Sequence, residues 1–259
     1  MIVSHRHRFI FLHSLKTAGS SLTIALARHL GDDDLLSIDN FTLADFIAHD
    51  EVPRGFFTPR NIRVLHDEGY TDSARVMERV LALGRFSALP APADPDRLFA
   101  DVRRSSLYKS RTRQHATARQ VLRAFPSVWD DYFTFAFERN PWERMISLYH
   151  WRWRDRPQRS ALERLWHGGP ARPSFETFLA SLRRGQKAQA RYRSHHHSNF
   201  STYAIKGKVA LDFVGQYERL QADLAEIEAR LGLEIRTHFP AAKREHRKPR
   251  DPIRYTPAM

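Results

Sequence analysis

The 259-residue chain contains no cysteine. A disulfide framework is therefore excluded, and secretion gains no support from that side. Long apolar runs are also missing. Phe9–Leu12 is far shorter than the roughly 7–15 apolar residues of a signal-peptide core, and no stretch approaches the ~20 residues of a membrane span. These absences favour a cytoplasmic protein with no membrane span. Acidic residues are scarce beside basic ones: 29 Asp+Glu face 42 Lys+Arg, leaving a formal charge of +13. Such an excess attracts anions. It fits either a basic solvated surface or a polyanionic partner, and nucleic acid, anionic membrane and acidic polysaccharide all qualify. Apolar residues make up 42% of the chain, with 17 Phe and 5 Trp among them, enough for a core in one large domain spanning residues 1–259.

Along the chain, a strand–loop–helix pattern occurs twice. Arg8–His13 is a short apolar run and reads as a buried strand. Ser14–Ser21 reads as a tight loop, and Leu22, Ile24, Ala25, Leu26 and Leu30 follow at helical spacing up to Gly31. Tyr132–Phe137 is a second buried strand. Pro141 opens a helix there, with Trp142, Met145, Ile146 and Tyr149 on an amphipathic face to about Trp153. Between these units, Asp72–Gly84 and Thr117–Phe125 read as helices, and the proline-rich Leu89–Pro95 reads as a surface loop. Phe175–Leu182 is a short helix, Val209–Val214 a third strand and Gln216–Leu231 a long helix. Strands alternating with helices imply an α/β fold, a central and mostly parallel sheet with helices on both faces.

Two groups of residues carry chemistry. Leu15-Lys16-Thr17-Ala18-Gly19-Ser20-Ser21 joins the first strand to its helix. Backbone N–H groups and the helix N-terminus favour an anion there. Gly19 permits close approach, Lys16 supplies a charge, and Thr17, Ser20 and Ser21 supply hydroxyls. A Walker A loop places its Lys after the second Gly, as G-x-x-x-x-G-K-[ST]; here Lys16 precedes Gly19. The second group is Phe137-Glu138-Arg139-Asn140-Pro141-Trp142-Glu143-Arg144-Met145-Ile146-Ser147-Leu148-Tyr149. Arg139 leaves a strand at the carboxyl edge of the sheet, where such sheets bind ligands, and its planar fork suits a phosphate. Ser147 lies two helical turns further on.

Both groups resemble the motifs of the PAPS-dependent sulfotransferases, especially the carbohydrate-type and bacterial branch (PAPS is 3′-phosphoadenosine 5′-phosphosulfate). The family loop reads much like Pro-Lys-Thr-Gly-Gly-Thr-Ser, against Leu15–Ser21 here. Arg139-Asn140-Pro141, Arg144 and Ser147-Leu148-Tyr149 are similar to the family's second motif, and Asp212–Leu220 to a late segment before a long helix. The resemblance implies a P-loop-like three-layer fold. It implies that Lys16, Thr17, Ala18, Gly19, Ser20 and Ser21 bind the 5′-phosphosulfate of PAPS, and that Arg139 and Ser147 bind its 3′-phosphate. It also implies a general base at the position of His115, which suits removal of a hydroxyl proton near neutral pH. His66 and Glu68 are competitors for that role, and His13 is expected to order the loop from below. Lys16 is expected to stabilise charge on the leaving nucleotide. The expected reaction moves a sulfuryl group to a hydroxyl-bearing acceptor, a carbohydrate or an acidic saccharide, and leaves 3′,5′-adenosine bisphosphate without a metal.

Other readings compete. A small-molecule kinase requires a complete Walker A loop, which is lacking, and a Mg²⁺-binding Asp after a strand, of which Asp212 is only a weak offer. A nucleic-acid-binding protein would show a recognised motif, and none is present, so no nucleic-acid partner is expected. His195-His196-His197 lacks the spacing and partners of a metal site. Trp151, Trp153 and Trp166 could stack on sugar rings, or pack under Arg stems. The basic run Lys243–Lys248 reads as a charged terminus.

Overall fold

The computed structural model describes residues 1–109, 113–154, 174–183, 198–240 and 255. The strands are β1 (Ile2–Ser4), β2 (Phe9–Leu12), β3 (Leu35–Leu36), β4 (Phe133–Glu138), β5 (Ala204–Ile205), β6 (Lys208–Val209) and β7 (Phe213–Gln216). Five of them form the central sheet in the order β3-β1-β2-β4-β7. β1 runs against both β2 and β3, while β2 is parallel to β4 and β4 to β7. Four strands therefore point one way and β1 alone opposes them. In register, Phe11 lies beside Phe135 and Leu12 beside Ala136. Phe137 lies beside Gly215, where an added Cβ would meet the Phe137 ring.

The helices are α1 (Gly19–Ala27), α2 (Asn40–Ala48), α3 (Pro59–Asp67), α4 (Thr71–Leu83), α5 (Pro95–Arg104), α6 (Ser106–Lys109), α7 (Ala118–Ala124), α8 (Pro126–Trp129), α9 (Pro141–Arg154), α10 (Phe175–Arg183), α11 (Phe200–Tyr203) and α12 (Leu220–Leu231). Alternation along the strands divides the core into two layers. Phe9, Phe11, Phe135 and Phe137 pack on one face against Leu22 and Leu26 of α1, Phe46 of α2 and Ile227 of α12. Ile10, Leu12 and Ala136 pack on the other against Val121 of α7, Trp129 of α8 and Tyr203 of α11. A sheet buried on both faces explains why β2 and β4 read as continuous apolar runs. Among the described residues no helix is long and apolar enough to cross a membrane.

The structure departs from the sequence expectations at several points. The polar start contains β1, three fully buried residues; its length is below what a period of two can reveal. Val209–Val214 is not one strand. Lys206 and Gly207 both have positive φ, the signature of a two-residue hairpin turn, so β5 and β6 pair locally and β7 begins only at Phe213. The loop at Leu89–Pro95 ends in a helix start, because Asp94 accepts from the amides of Asp96 and Arg97 and Pro95 occupies the first turn. The stretch between the two strand–loop–helix units is largely helical, α2 to α6.

These connections fix the ligand edge. From β2 the chain turns through α1 to β3 on one side, and later enters β4 on the other. The crevice at the carboxyl ends of β2 and β4 is thus where the chain direction divides, the usual ligand site of an open α/β sheet.

Candidate active site

The loop after β2 is sharply bent. Lys16 and Ala18 have φ of 65° and 63°, and α1 begins at Gly19. Left-handed residues beside helical ones turn successive N–H groups to one concave side. Ala18 holds a conformation that costs a non-glycine residue roughly 1–2 kcal/mol. The buried Thr17 hydroxyl donates to the Ser14 carbonyl at 3.1 Å, bracing the bend from within. Ser20 is half-buried and Ser21 buried in the first turn of α1. Gly19 is required by packing, since a Cβ there would lie only 2.0 Å from His13 Nε2. Gly19→Ala is expected to cost about 1–3 kcal/mol by overpacking, read as a shifted denaturant midpoint, with weaker anion binding at the displaced loop.

His13 lies beneath the loop, as expected. The Gln114 side-chain nitrogen can only donate, so His13 Nδ1 accepts from Gln114 Nε2 at 2.9 Å, while the same Nε2 donates to Thr42 Oγ1 at 2.8 Å. The ring of His13 meets that of His115 edge-on, with centroids 4.7 Å apart. His115 Nδ1 is 2.9 Å from the His13 carbonyl. A carbonyl can only accept, so Nδ1 carries a proton, and in the neutral form of the exposed ring the lone pair is on Nε2. That is the tautomer a general base needs. The two competitors have partners of their own: His66 pairs with Glu78 of α4 at 3.0 Å, and Glu68 accepts from the amide of Ser106 at 3.0 Å.

Arg139 leaves β4 at the same edge. Its guanidinium stacks 4.4 Å over the ring of Tyr217 and faces Glu143 at 3.6 Å. The side chain is 12% exposed, and its Nε is buried with no partner among the described residues, as is Ser14 Oγ in the loop. Buried donors rarely stay unpaired. Both suit an anionic ligand laid across the loop and the arginine. Asn140 Oδ1 accepts from Trp142 N at 3.0 Å and so caps α9, while its own amide donates to Glu218 at 2.8 Å. The late Tyr217-Glu218 pair thereby packs onto Arg139-Asn140. Ser147 is half-buried on α9.

Sequence reading gave no role to a buried polar cluster behind this edge. Glu138 Oε1 accepts from Arg139 N at 2.8 Å and from Asn199 Nδ2 at 3.2 Å, and Oε2 accepts from the Tyr203 hydroxyl at 3.1 Å. Arg144 is 1% exposed. Burial holds it below the usual arginine range, opposed by the attraction of Glu138. Burial, then the Glu138 carboxylate, push the Tyr203 hydroxyl up to about 12. The position of Arg144 in the second motif was its only sequence signal; Asn199 and Tyr203 gave none.

Next to the loop stands an aromatic corner. Lys16 Nζ lies 5.4 Å from the centre of the Trp151 ring, and Phe41 meets Trp151 edge-on at 6.1 Å while remaining 55% exposed. Asp212 lies at the other edge of the sheet. It accepts from the amide and hydroxyl of Thr134 at 2.7 Å, tying the start of β7 to the start of β4, where it cannot serve a ligand at the carboxyl edge. Among the described residues there is no His, Asp or Glu cluster able to hold a metal. His195–His197, Trp166, the side chain of Trp153 and the run Lys243–Lys248 lie outside the described residues.

The sequence model described as "Sulfotransferase family" matches residues 1–254. An uncharacterized protein of Archaeoglobus fulgidus is 27% identical over 106 residues, 41% of this chain and 72% of its own length. No solved structure matches the chain significantly.

Proposed function

The chain belongs to the sulfotransferase family, and from that membership we propose that it transfers the sulfuryl group of PAPS to a hydroxyl group of a carbohydrate. The observation that carries the donor reading is the pairing of two anion-binding elements at one crevice, the Lys16–Ser21 loop after β2 and Arg139 after β4. In this P-loop-like arrangement the loop amides, Ser20 and Ser21 hold the 5′-phosphosulfate, and Arg139 with Ser147 holds the 3′-phosphate. Arg139 keeps its buried Nε–H for that purpose.

In the proposed step the acceptor oxygen attacks sulfur in line with the bridging oxygen. A new S–O bond forms as the old one breaks. The hydroxyl proton passes to His115 Nε2. The electron pair of the broken bond stays on the 5′-phosphate of the nucleotide, where Lys16 stabilises the growing charge. The proton is taken by His115 and the charge left on the nucleotide is met by Lys16, so the scheme is written without a metal. The aromatic corner of Phe41 and Trp151 supports a ring-shaped acceptor, because a pyranose has an apolar C–H face that packs on such rings. The charge of +13 supports an acidic saccharide.

Calorimetric titration with 3′,5′-adenosine bisphosphate tests the donor site, with ATP plus Mg²⁺ as comparison. Metal-independent binding is expected. Arg139→Ala should weaken it by about 2–3 kcal/mol, roughly 30- to 150-fold, the worth of hydrogen bonds to a charged group. No binding by the wild-type protein would overturn the sulfotransferase donor reading, and preference for ATP with Mg²⁺ would favour a kinase.

A further inference from the structure

Beyond Leu12 and Ala136 the parallel pair β2–β4 has no further ladder partners. The first strand opens into the loop while the second runs on to Glu138 and Arg139. One side chain from a remote segment fills the gap. Asn199, 1% exposed, accepts from the amide of Leu15 at 3.0 Å and donates to the Leu15 carbonyl at 3.0 Å. Its second amide hydrogen reaches Glu138 Oε1 at 3.2 Å. Both donors and one lone pair are therefore used. The amide orientation is dictated, since two acceptors face its nitrogen and one N–H faces its oxygen. Glu138 Oε1 also receives the amide of Arg139 at 2.8 Å. A continuous chain of hydrogen bonds thus runs from the residue before Lys16, through Asn199 and Glu138, to the backbone of Arg139.

We propose that Asn199 is a positioning residue that sets the distance between the two halves of the donor site, the loop for the 5′-phosphosulfate and the Arg139 arm for the 3′-phosphate. The assignment rests on the donor reading above. Its physical basis is that a nucleotide carrying phosphates at both ends binds well only if both cradles are held at its own span, and catalysis needs sulfur held in line with Lys16 and the base. Leu15 is otherwise at the mouth of the loop, and side-chain pairing of both its backbone groups replaces the ladder that ends at Leu12. Arg139 has a second support in the Tyr217 ring; Asn199 ties the loop to it. The two sides are therefore expected to respond differently when Asn199 is altered.

The test compares wild type with Asn199→Leu, close in size but without hydrogen bonds, and Asn199→Asp. Affinities for 5′-AMP, 3′-AMP and 3′,5′-adenosine bisphosphate are measured by calorimetry well below the unfolding temperature. In Asn199→Leu, 5′-AMP and the bisphosphate should bind at least tenfold more weakly, while 3′-AMP stays within about threefold. In Asn199→Asp a protonated carboxyl offers one donor and one acceptor, so its bisphosphate affinity relative to wild type should recover as pH falls from 8 towards 5. A general loss of stability would not change the ratio of the two monophosphates, nor produce that pH recovery. Equal weakening of both monophosphates, or an unchanged affinity for the bisphosphate, overturns the proposal. Should Asn199→Leu fail to fold, a flat pH profile for Asn199→Asp overturns it instead. If wild type binds none of the three ligands, the donor reading itself fails, a result distinct from wild-type binding that the variants leave untouched.

Discussion

Arg144→Ala is expected to lower the stability of the protein by about 3–5 kcal/mol, the range for removing one member of a buried charged group. Arg144 is 1% exposed and among the largest fully buried side chains. Its charge is supported by Glu138, which in turn gathers Arg139 N, Asn199 and Tyr203. Removing the guanidinium leaves a cavity and a carboxylate without its cation. Arg144→Met separates these effects, because it keeps most of the volume and loses the charge. It should remain well below wild type, and Arg144→Met with Glu138→Gln should recover much of the loss. Urea unfolding of wild type, Arg144→Met, Glu138→Gln and the double variant, taken as a double-mutant cycle, measures the coupling. If Arg144→Met matches wild type, the buried charge contributes only packing. The outcome bears on the proposed function as well, since the same Glu138 holds the backbone of Arg139 and, through Asn199, the start of the loop after β2.

His115→Asn should reduce kcat for sulfuryl transfer by about 10²- to 10⁴-fold, the usual worth of a positioned general base. Affinity for 3′,5′-adenosine bisphosphate should stay within about twofold, because His115 is absent from both proposed phosphate cradles. The geometry motivates the assignment: the bond from Nδ1 to the His13 carbonyl fixes the basic nitrogen as Nε2, and the ring stands against the residue under the loop. The acid limb of the pH–rate profile should disappear in the variant, since protonation of the base is what produces it. A variant that keeps kcat within tenfold, with the acid limb intact, would move the base to another residue. Lys16→Ala offers a contrast, because it should lose transfer through poorer stabilisation of the leaving nucleotide while retaining the acid limb.

Much of the site was written locally. β2 and β4 are buried on both faces, so their runs of Phe, Ile, Leu and Ala identify them without any tertiary information. The loop after each strand is legible for the same reason, since Lys16 to Ser21 and Arg139 to Pro141 follow directly. Helix starts at Thr58-Pro59, Asp94-Pro95 and Thr117, which forms a capping box with Gln120, also carry their reason within four residues. Only the last was read as a helix start, because the turn signals of the other two stand in a stretch with weak apolar periodicity.

The sequence by itself determined the α/β class and the placement of the loops at 16–21 and 139–141 directly after β2 and β4, because each depends on neighbours within one strand, turn or helix. Only the tertiary structure decided which strands lie together, that β1 opposes the rest, and that His115 and Gln114 stand against His13. The link from Asn199 to Leu15 joins residues 184 positions apart. Such contacts are set by sheet order and register, and a single polar residue gives no periodic trace of the partner it will meet. That is why the crevice could be named from its two loops, while the buried cluster that holds those loops in place became visible only when the strands were assembled.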